Sequence, residues 1–237
     1  MIHVAAAAGC AAVCGVGSFL APMLIARVPE PEPDPEADAD APAKESYADI
    51  AALPGLAWKL AAAGAVAGAL VGGKIGWTAP LIFLVPLVPV LVALAVIDWR
   101  THLLPTRLVW PTTLATAALI AVTWAVTGND DALMRAGWGF LVAYGSFFVL
   151  WFVYPKGLGY GDVRLAGVLG LALGYLGWGP LLVGLYAGFL LGGVGGGLLS
   201  ALKVVQRKAF PFGPFMVVGA LIGVLWGSGI LDRLVAG

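Results

Sequence analysis

The sequence predicts an all-α, polytopic membrane protein, and three observations carry that prediction. First, the 237 residues are 61% hydrophobic and only 11% charged, with a mean hydropathy of +0.96, far from the balance of a water-soluble globular domain. Second, apolar stretches of roughly 20 residues, the length that about 30 Å of hydrocarbon demands, recur along most of the chain. Third, Lys and Arg collect on one side when those stretches are threaded back and forth. The formal net charge is zero, so no basic excess marks a nucleic-acid partner and no imbalance marks an acidic soluble one.

Eight helices are expected, over residues 2 to 26, 55 to 73, 79 to 97, 108 to 127, 136 to 154, 163 to 178, 180 to 201 and 213 to 231. The first holds Cys10 and Cys14, four apart on one helix face. With no second pair they build neither a disulfide framework nor a zinc site, and they read as small packing residues. Residues 1 to 9 contain no Lys or Arg and the apolar run before Cys10 is short, so "AAGC" is not taken for a lipoprotein signal. Next comes "RVPEPEPDPEADADAPAKESYADIAALPG", which alternates Pro, Ala and acid and lacks apolar anchors until Ile50. Its composition predicts a disordered acidic linker. The second span is short, rich in Gly and Ala, and bracketed by Lys59 and Lys74; losing it would invert the first segment relative to the rest. The 40 residues from Val163 to Leu202 would make a helix of about 60 Å, twice the hydrocarbon thickness, so the chain must fold back there. "GWGP" at 177 to 180 supplies the turn. The expected organisation is a first transmembrane helix (1–26), a cytoplasmic linker (27–54) and a seven-helix membrane core (55–237).

Orientation follows from the cations. With the N-terminus outside, the inner side receives ten: Arg27, Lys44, Lys59, Arg100, Arg107, Lys156, Arg164, Lys203, Arg207 and Lys208. Only Lys74, Arg135 and Arg233 fall outside. That bias places the loops beginning near 98, 155 and 203 in the cytoplasm and both termini on the outer side.

Eight of the thirteen acidic residues lie between Glu30 and Asp49. Of the other five, Asp130 and Asp131 sit in the outer loop "GNDD" and Asp232 is next to the C-terminus. Asp98, at the inner end of the third span, and Asp162, at the inner end of the sixth, remain to be explained. Two spans separate them, which returns both to one side and one depth. Ionisable groups at membrane depth are costly and are candidates for function. Two carboxyls from different helices, sharing a proton and holding a water, are the machinery of an aspartic protease. On position alone other readings stay open: Asp162 as a helix N-cap, Asp98 as a boundary residue paired with Arg100 or Arg107, or the two together as an ion or proton pathway. His102, in a basic loop, reads as a surface residue.

Four ordered elements carry a more specific signal: "GVGSFLAPMLIARVP" at the first helix, "DWRTHLLPTRLVWP" after the third, "GLGYGDVRLAGVLGLALGYLGW" into the sixth, and "FPFGPFMVVGALIG" opening the eighth. Together they resemble the type IV prepilin peptidase family, from the first helix to the last. The resemblance implies a membrane aspartic endopeptidase with Asp98 and Asp162 as its catalytic pair, working without a metal or organic cofactor at the cytoplasmic face of the cell membrane. It implies prepilin or pseudopilin precursors as substrates, each a single apolar helix behind a short basic leader. Gly159 and Gly161 match the glycines of the GxGD element, where a missing side chain would let a substrate backbone come close. Arg164 stands where a lysine is usual, and Arg100 flanks Asp98; both are expected to shape the site. A GxGD intramembrane protease of the presenilin kind remains an alternative, although Ile97, not a tyrosine, precedes Asp98 here. A small non-enzymatic, transporter-like protein is the other.

The chain departs from that family's pattern in two places. Bifunctional members carry two Cys-x-x-Cys pairs after the first span and also methylate the new N-terminus, whereas residues 27 to 54 contain no cysteine and cannot form a thiolate zinc site. Ala21 replaces a common asparagine. Peptidase activity is therefore expected and methyl transfer is not. Within the pair, Asp98 at a helix C-terminus and Asp162 at a helix N-terminus feel opposite fields, so Asp98 is expected to carry the shared proton and Asp162 to act as base.

Overall fold

A computed structural model describes residues 3–30, 45–155, 157–201 and 211–236, with side chains left undescribed at 194–201, 232 and 234–236. Lys44, Lys156, Lys203, Arg207 and Lys208, all expected to be cytoplasmic, lie outside the described residues, as do residues 31–44 of the linker. The helices in chain order are α1 (Val4–Phe19), α2 (Ala21–Ala26), α3 (Tyr47–Ala51), α4 (Leu56–Ile75), α5 (Leu81–Thr101), α6 (Thr106–Thr127), α7 (Asp130–Val153), α8 (Tyr160–Leu176), α9 (Trp178–Ala201) and α10 (Gly213–Ala236). α1 with α2, α4, α5, α6, α7 and α10 are each long and apolar enough to cross a membrane, and Trp178–Gly193 of α9 is a shorter apolar helix. The protein is an all-α polytopic membrane protein, with a helix on each of the eight predicted spans.

α1 and α4 meet along a close seam, which explains how the short second span is held. On α4, Gly64, Gly68 and Gly72 recur every fourth residue and face α1; a Cβ on Gly68 would lie 2.7 Å from the Cβ of Cys14. Small residues at that spacing let two backbones meet where lipid offers no hydrophobic drive to association. Cys10 and Cys14 are buried in this seam, as their reading as packing residues requires. Cys14 does one thing more. Pro89 within α5 has no N–H to give the carbonyl four residues earlier, and the Cys14 thiol donates to that Val85 oxygen at 3.5 Å.

α5 and α8 are the central helices. Twelve of the seventeen residues of α8 are buried, and α5 is the most buried of the long apolar helices. α7 closes on α8 across Gly139, Gly170 and Gly174, where a Cβ on Gly139 would sit 2.9 Å from the Gly174 Cα. The predicted reversal at 177–180 is present: Gly177, at φ +144°, ends α8 and α9 starts at the next residue.

Two expectations are corrected. The "GNDD" loop is the start of a helix, because the Asn129 side chain caps α7 by accepting the Ala132 N–H at 3.0 Å, and Asp130 and Asp131 fill the first turn. The linker is not disordered throughout. Residues 45–54 include α3, capped by Ser46, with Tyr47 and Ile50 buried; the Glu30 carboxylate accepts the Tyr47 N–H at 2.6 Å. Tyr47 is the apolar anchor that an eye on composition passes over.

Candidate active site

Asp98 lies three residues before the end of α5. The helix stops because His102, exposed and at φ +54°, enters the left-handed region and donates its N–H to the Asp98 carbonyl at 2.8 Å. The chain then turns through Leu103, Leu104 and Pro105 into α6. Asp162 lies in the first turn of α8. Although it was a candidate N-cap, Gly159 holds that position, and the Asp162 carboxylate reaches back to accept the Gly159 N–H at 3.0 Å.

These two carboxyls come together at one end of the bundle, within electrostatic reach of each other. Asp98 is 4% exposed and Asp162 is 7% exposed. A buried carboxyl needs donors, and each finds a backbone amide: Gly159 for Asp162, and for Asp98 the Gly213 N–H at 2.8 Å, from the first residue of α10. Gly213 was missed as a site residue. The "FPFGPF" element containing it was noticed, but no local pattern says that its glycine serves an aspartate 115 positions away. The contact also requires a glycine, since a Cβ there would lie 2.8 Å from the Asp98 Oδ2.

Gly161 has a packing role of its own. A Cβ at that position would stand 2.7 Å from the Cβ of buried Leu104, so Gly161 lets the turn after α5 press against α8. That contact joins the segment just after Asp98 to the residue just before Asp162. Tyr160 fixes the start of α8 from the other side, its hydroxyl 2.8 Å from that of Tyr144 and its ring 4.9 Å from Trp151.

The two flanking cations are engaged elsewhere. Arg100 makes a two-point ion pair with Glu45, both contacts at 2.6 Å, the one ion pair among the described residues. That bond ties the linker to α5, and it removes the sequence alternative in which Arg100 neutralises Asp98. Arg164 donates to Thr106 Oγ1 and stacks 4.9 Å over the Tyr160 ring, joining α8 to the start of α6. Beside it a cavity of about 390 Å³ opens between Arg164, the Leu103–Arg107 turn and Glu30 and Tyr47 of the linker.

The expected helix ends are present, Asp98 in the last turn of α5 and Asp162 in the first turn of α8, and a third helix adds its own field. Asp98 does sit near the C-terminus of its own helix, but it also accepts from the first N–H of α10, a helix N-terminus of opposite sign. Asp162 therefore meets one helix N-terminus, whereas Asp98 meets the C-terminus of α5 and the N-terminus of α10 together, and each accepts one glycine amide.

The model of the type IV leader peptidase family matches residues 85–197, which contain both aspartates. The leader peptidase HopD of Escherichia coli is 38% identical over 112 residues, and the match covers 70% of its length and 44% of this chain. The chain belongs to the type IV leader peptidase family. Other family members extend the likeness. The prepilin leader peptidase/N-methyltransferase of Aeromonas salmonicida is 35% identical over 143 residues, and that of Pseudomonas aeruginosa 34% identical over the same length. Those matches cover about 60% of this chain, which spans about half the length of these relatives, 48% in each case. No solved structure matches the chain.

Proposed function

We propose that the chain is a membrane aspartic endopeptidase that removes the leader of type IV pilin-like precursors. The observation that carries this reading is the buried pair, Asp98 and Asp162, brought from two central helices to one end of the bundle and each held by a glycine amide. The names of the family relatives supply the substrate class. In this reading the carboxyls share one proton, because two like charges side by side cannot both ionise cheaply. The ionised carboxyl takes a proton from water, which attacks the carbonyl at the leader junction while the protonated partner donates to the carbonyl oxygen. The tetrahedral intermediate then collapses, a proton passes to the leaving amine, and the new N-terminus departs. The pair titrates as a unit; the α5 C-terminus acts on Asp98 alone and favours it as the protonated member with Asp162 as base, while the α10 N-terminus reduces that difference.

The charge bias supports a cytoplasmic active-site end, eight spans and both termini outside. The absence of cysteine from residues 27–54 supports cleavage without methylation; the Aeromonas and Pseudomonas relatives carry both activities in their names, whereas HopD is named as a leader peptidase alone. Incubating the purified protein with a prepilin in detergent tests the whole reading. Expected are one cut, dependent on both aspartates and indifferent to chelators, and a product whose mass lacks a methyl group. An intact precursor would sink the peptidase reading, and a methylated product would sink its second half.

A further inference from the structure

An apolar groove of about 510 Å³ runs along the bundle between α4 and α10, with α5 and α8 at its back. Ala63 and Val66 of α4, Leu87 and Leu91 of α5, and Val218 and Leu221 of α10 line it, and every lining residue is Ala, Val or Leu. Ala63, Val66 and Val218 are exposed, so the groove opens sideways.

Its position relative to the aspartates is set by helix periodicity. Residues three and four apart lie on one stripe of a helix. On α5 the stripe Leu87, Leu91, Leu94 ends at Asp98; on α8 the stripe from Asp162 passes Ala166 to Leu169 and Leu173; on α10 the stripe from Gly213 passes Val217 to Leu221 and Val224. All three stripes join groove residues to the three groups of the site, and helix polarity agrees in each case. Val217 is four residues from Gly213 and Leu84 fourteen from Asp98. At about 1.5 Å per residue the groove therefore extends from about 6 to about 21 Å below the site.

We propose that this groove holds the apolar helix of the precursor, which enters sideways from the bilayer and packs about residues 4 to 14 past the cleavage junction against α4, α5 and α10, at about 1.5 Å per residue. The proposal rests on the peptidase reading and deepens it. A groove that begins about 6 Å below the aspartate pair and runs down the same helix faces fits a substrate that is a helix below the junction and extended at it. The low Ala wall of α4 favours this occupant, since helices in lipid associate through close packing on small residues. The opposite face of α4 is already committed to α1 through Gly64, Gly68 and Gly72. The free face is the one that carries Ala63 and Ala67.

The test fills the groove and compares two probes, a prepilin with its whole apolar helix and the same sequence cut a few residues past the junction. Ala63→Phe, and independently Val218→Phe should the first fail to insert, each raise KM for the long probe about tenfold with kcat unchanged, and leave cleavage of the short probe as in the unaltered protein. Leu114→Phe, at an exposed position on α6 away from the groove, changes neither. A KM for the long probe that neither filling variant moves would make the groove an ordinary lipid-facing surface and overturn the proposal. Equal losses on both probes would overturn it too, by showing damage to the site itself. Failure of the unaltered protein to cut either probe is a different result, and it would remove the peptidase reading first.

Discussion

Asp130 and Asp131 at one end of the bundle, and Asp98 and Asp162 at the other, each lie by a helix N-terminus, and the two pairs are used in opposite ways. At one end Asp130 and Asp131 occupy the exposed first turn of α7, where Asp130 accepts the Trp124 Nε1–H at 2.7 Å. Water and the helix field satisfy them. At the other end Asp98 and Asp162 are buried, and every donor they receive had to be brought to them by the chain. The difference teaches that residue type and helix position do not make a carboxylate special. Burial between α5 and α8 does, because an acid removed from water must be given partners and then responds to its neighbour.

Replacing the acids breaks the comparison most directly. Asp98→Asn and Asp162→Asn each lower precursor cleavage by about 10³-fold or more with the protein still inserted, because an amide can neither take the water's proton nor share one. Residual cleavage near the starting rate in either variant would reduce that end to the status of the other.

Gly213→Ala is the next largest. Its Cβ would stand 2.8 Å from the Asp98 Oδ2, so the carboxyl must move while both acids remain. Misplacement of a reacting group by about 1 Å costs on the order of 10²-fold, which kcat should report while the thermal midpoint moves little. An unchanged kcat would mean that the Gly213 amide plays no part in aiming Asp98.

The linker contact sharpens the comparison with a pH dependence. Hydrogen bonding to Arg100, with its charge beside, holds the Glu45 carboxyl below the usual carboxylate range. A depressed acid contributes stability that is present above its unfolded value, about 4.3, and lost as pH falls through the folded one. Docking of residues 45–52 should therefore loosen below about pH 4, and Glu45→Gln should loosen it at neutral pH as well. Backbone hydrogen exchange across Tyr47–Ala51 measures both. Protection that ignores pH and substitution alike would show that Tyr47 and Ile50 hold α3 unaided.

The smallest effect belongs to the other end. Asp130→Asn and Asp131→Asn leave cleavage unchanged and cost at most about 1 kcal/mol through the helix N-terminus, read as a shift in the thermal midpoint. A loss of activity in either would place that end in the mechanism.

The membrane class, the all-α fold, the turn at Gly177 and the return of Asp98 and Asp162 to one end were legible in the sequence. Hydropathy, helix length and the count of crossings are local properties that add along a chain. The glycines of "GLGYGD" were legible as important, but their work was not: Gly161 makes room for Leu104, and Gly159 supplies an amide to Asp162. The Gly213 amide on Asp98, the Glu45 partner of Arg100 and the folding of α3 onto the bundle belong to the tertiary structure alone. The same is true of the second helix field on Asp98. Reading Asp98 from its own helix places it at a negative end, and only the arrival of α10 sets a positive end against it. A hydrogen bond, a buried charge or a helix field at a point is the sum over neighbours in space, and these neighbours are brought together by packing that no stretch of the sequence contains.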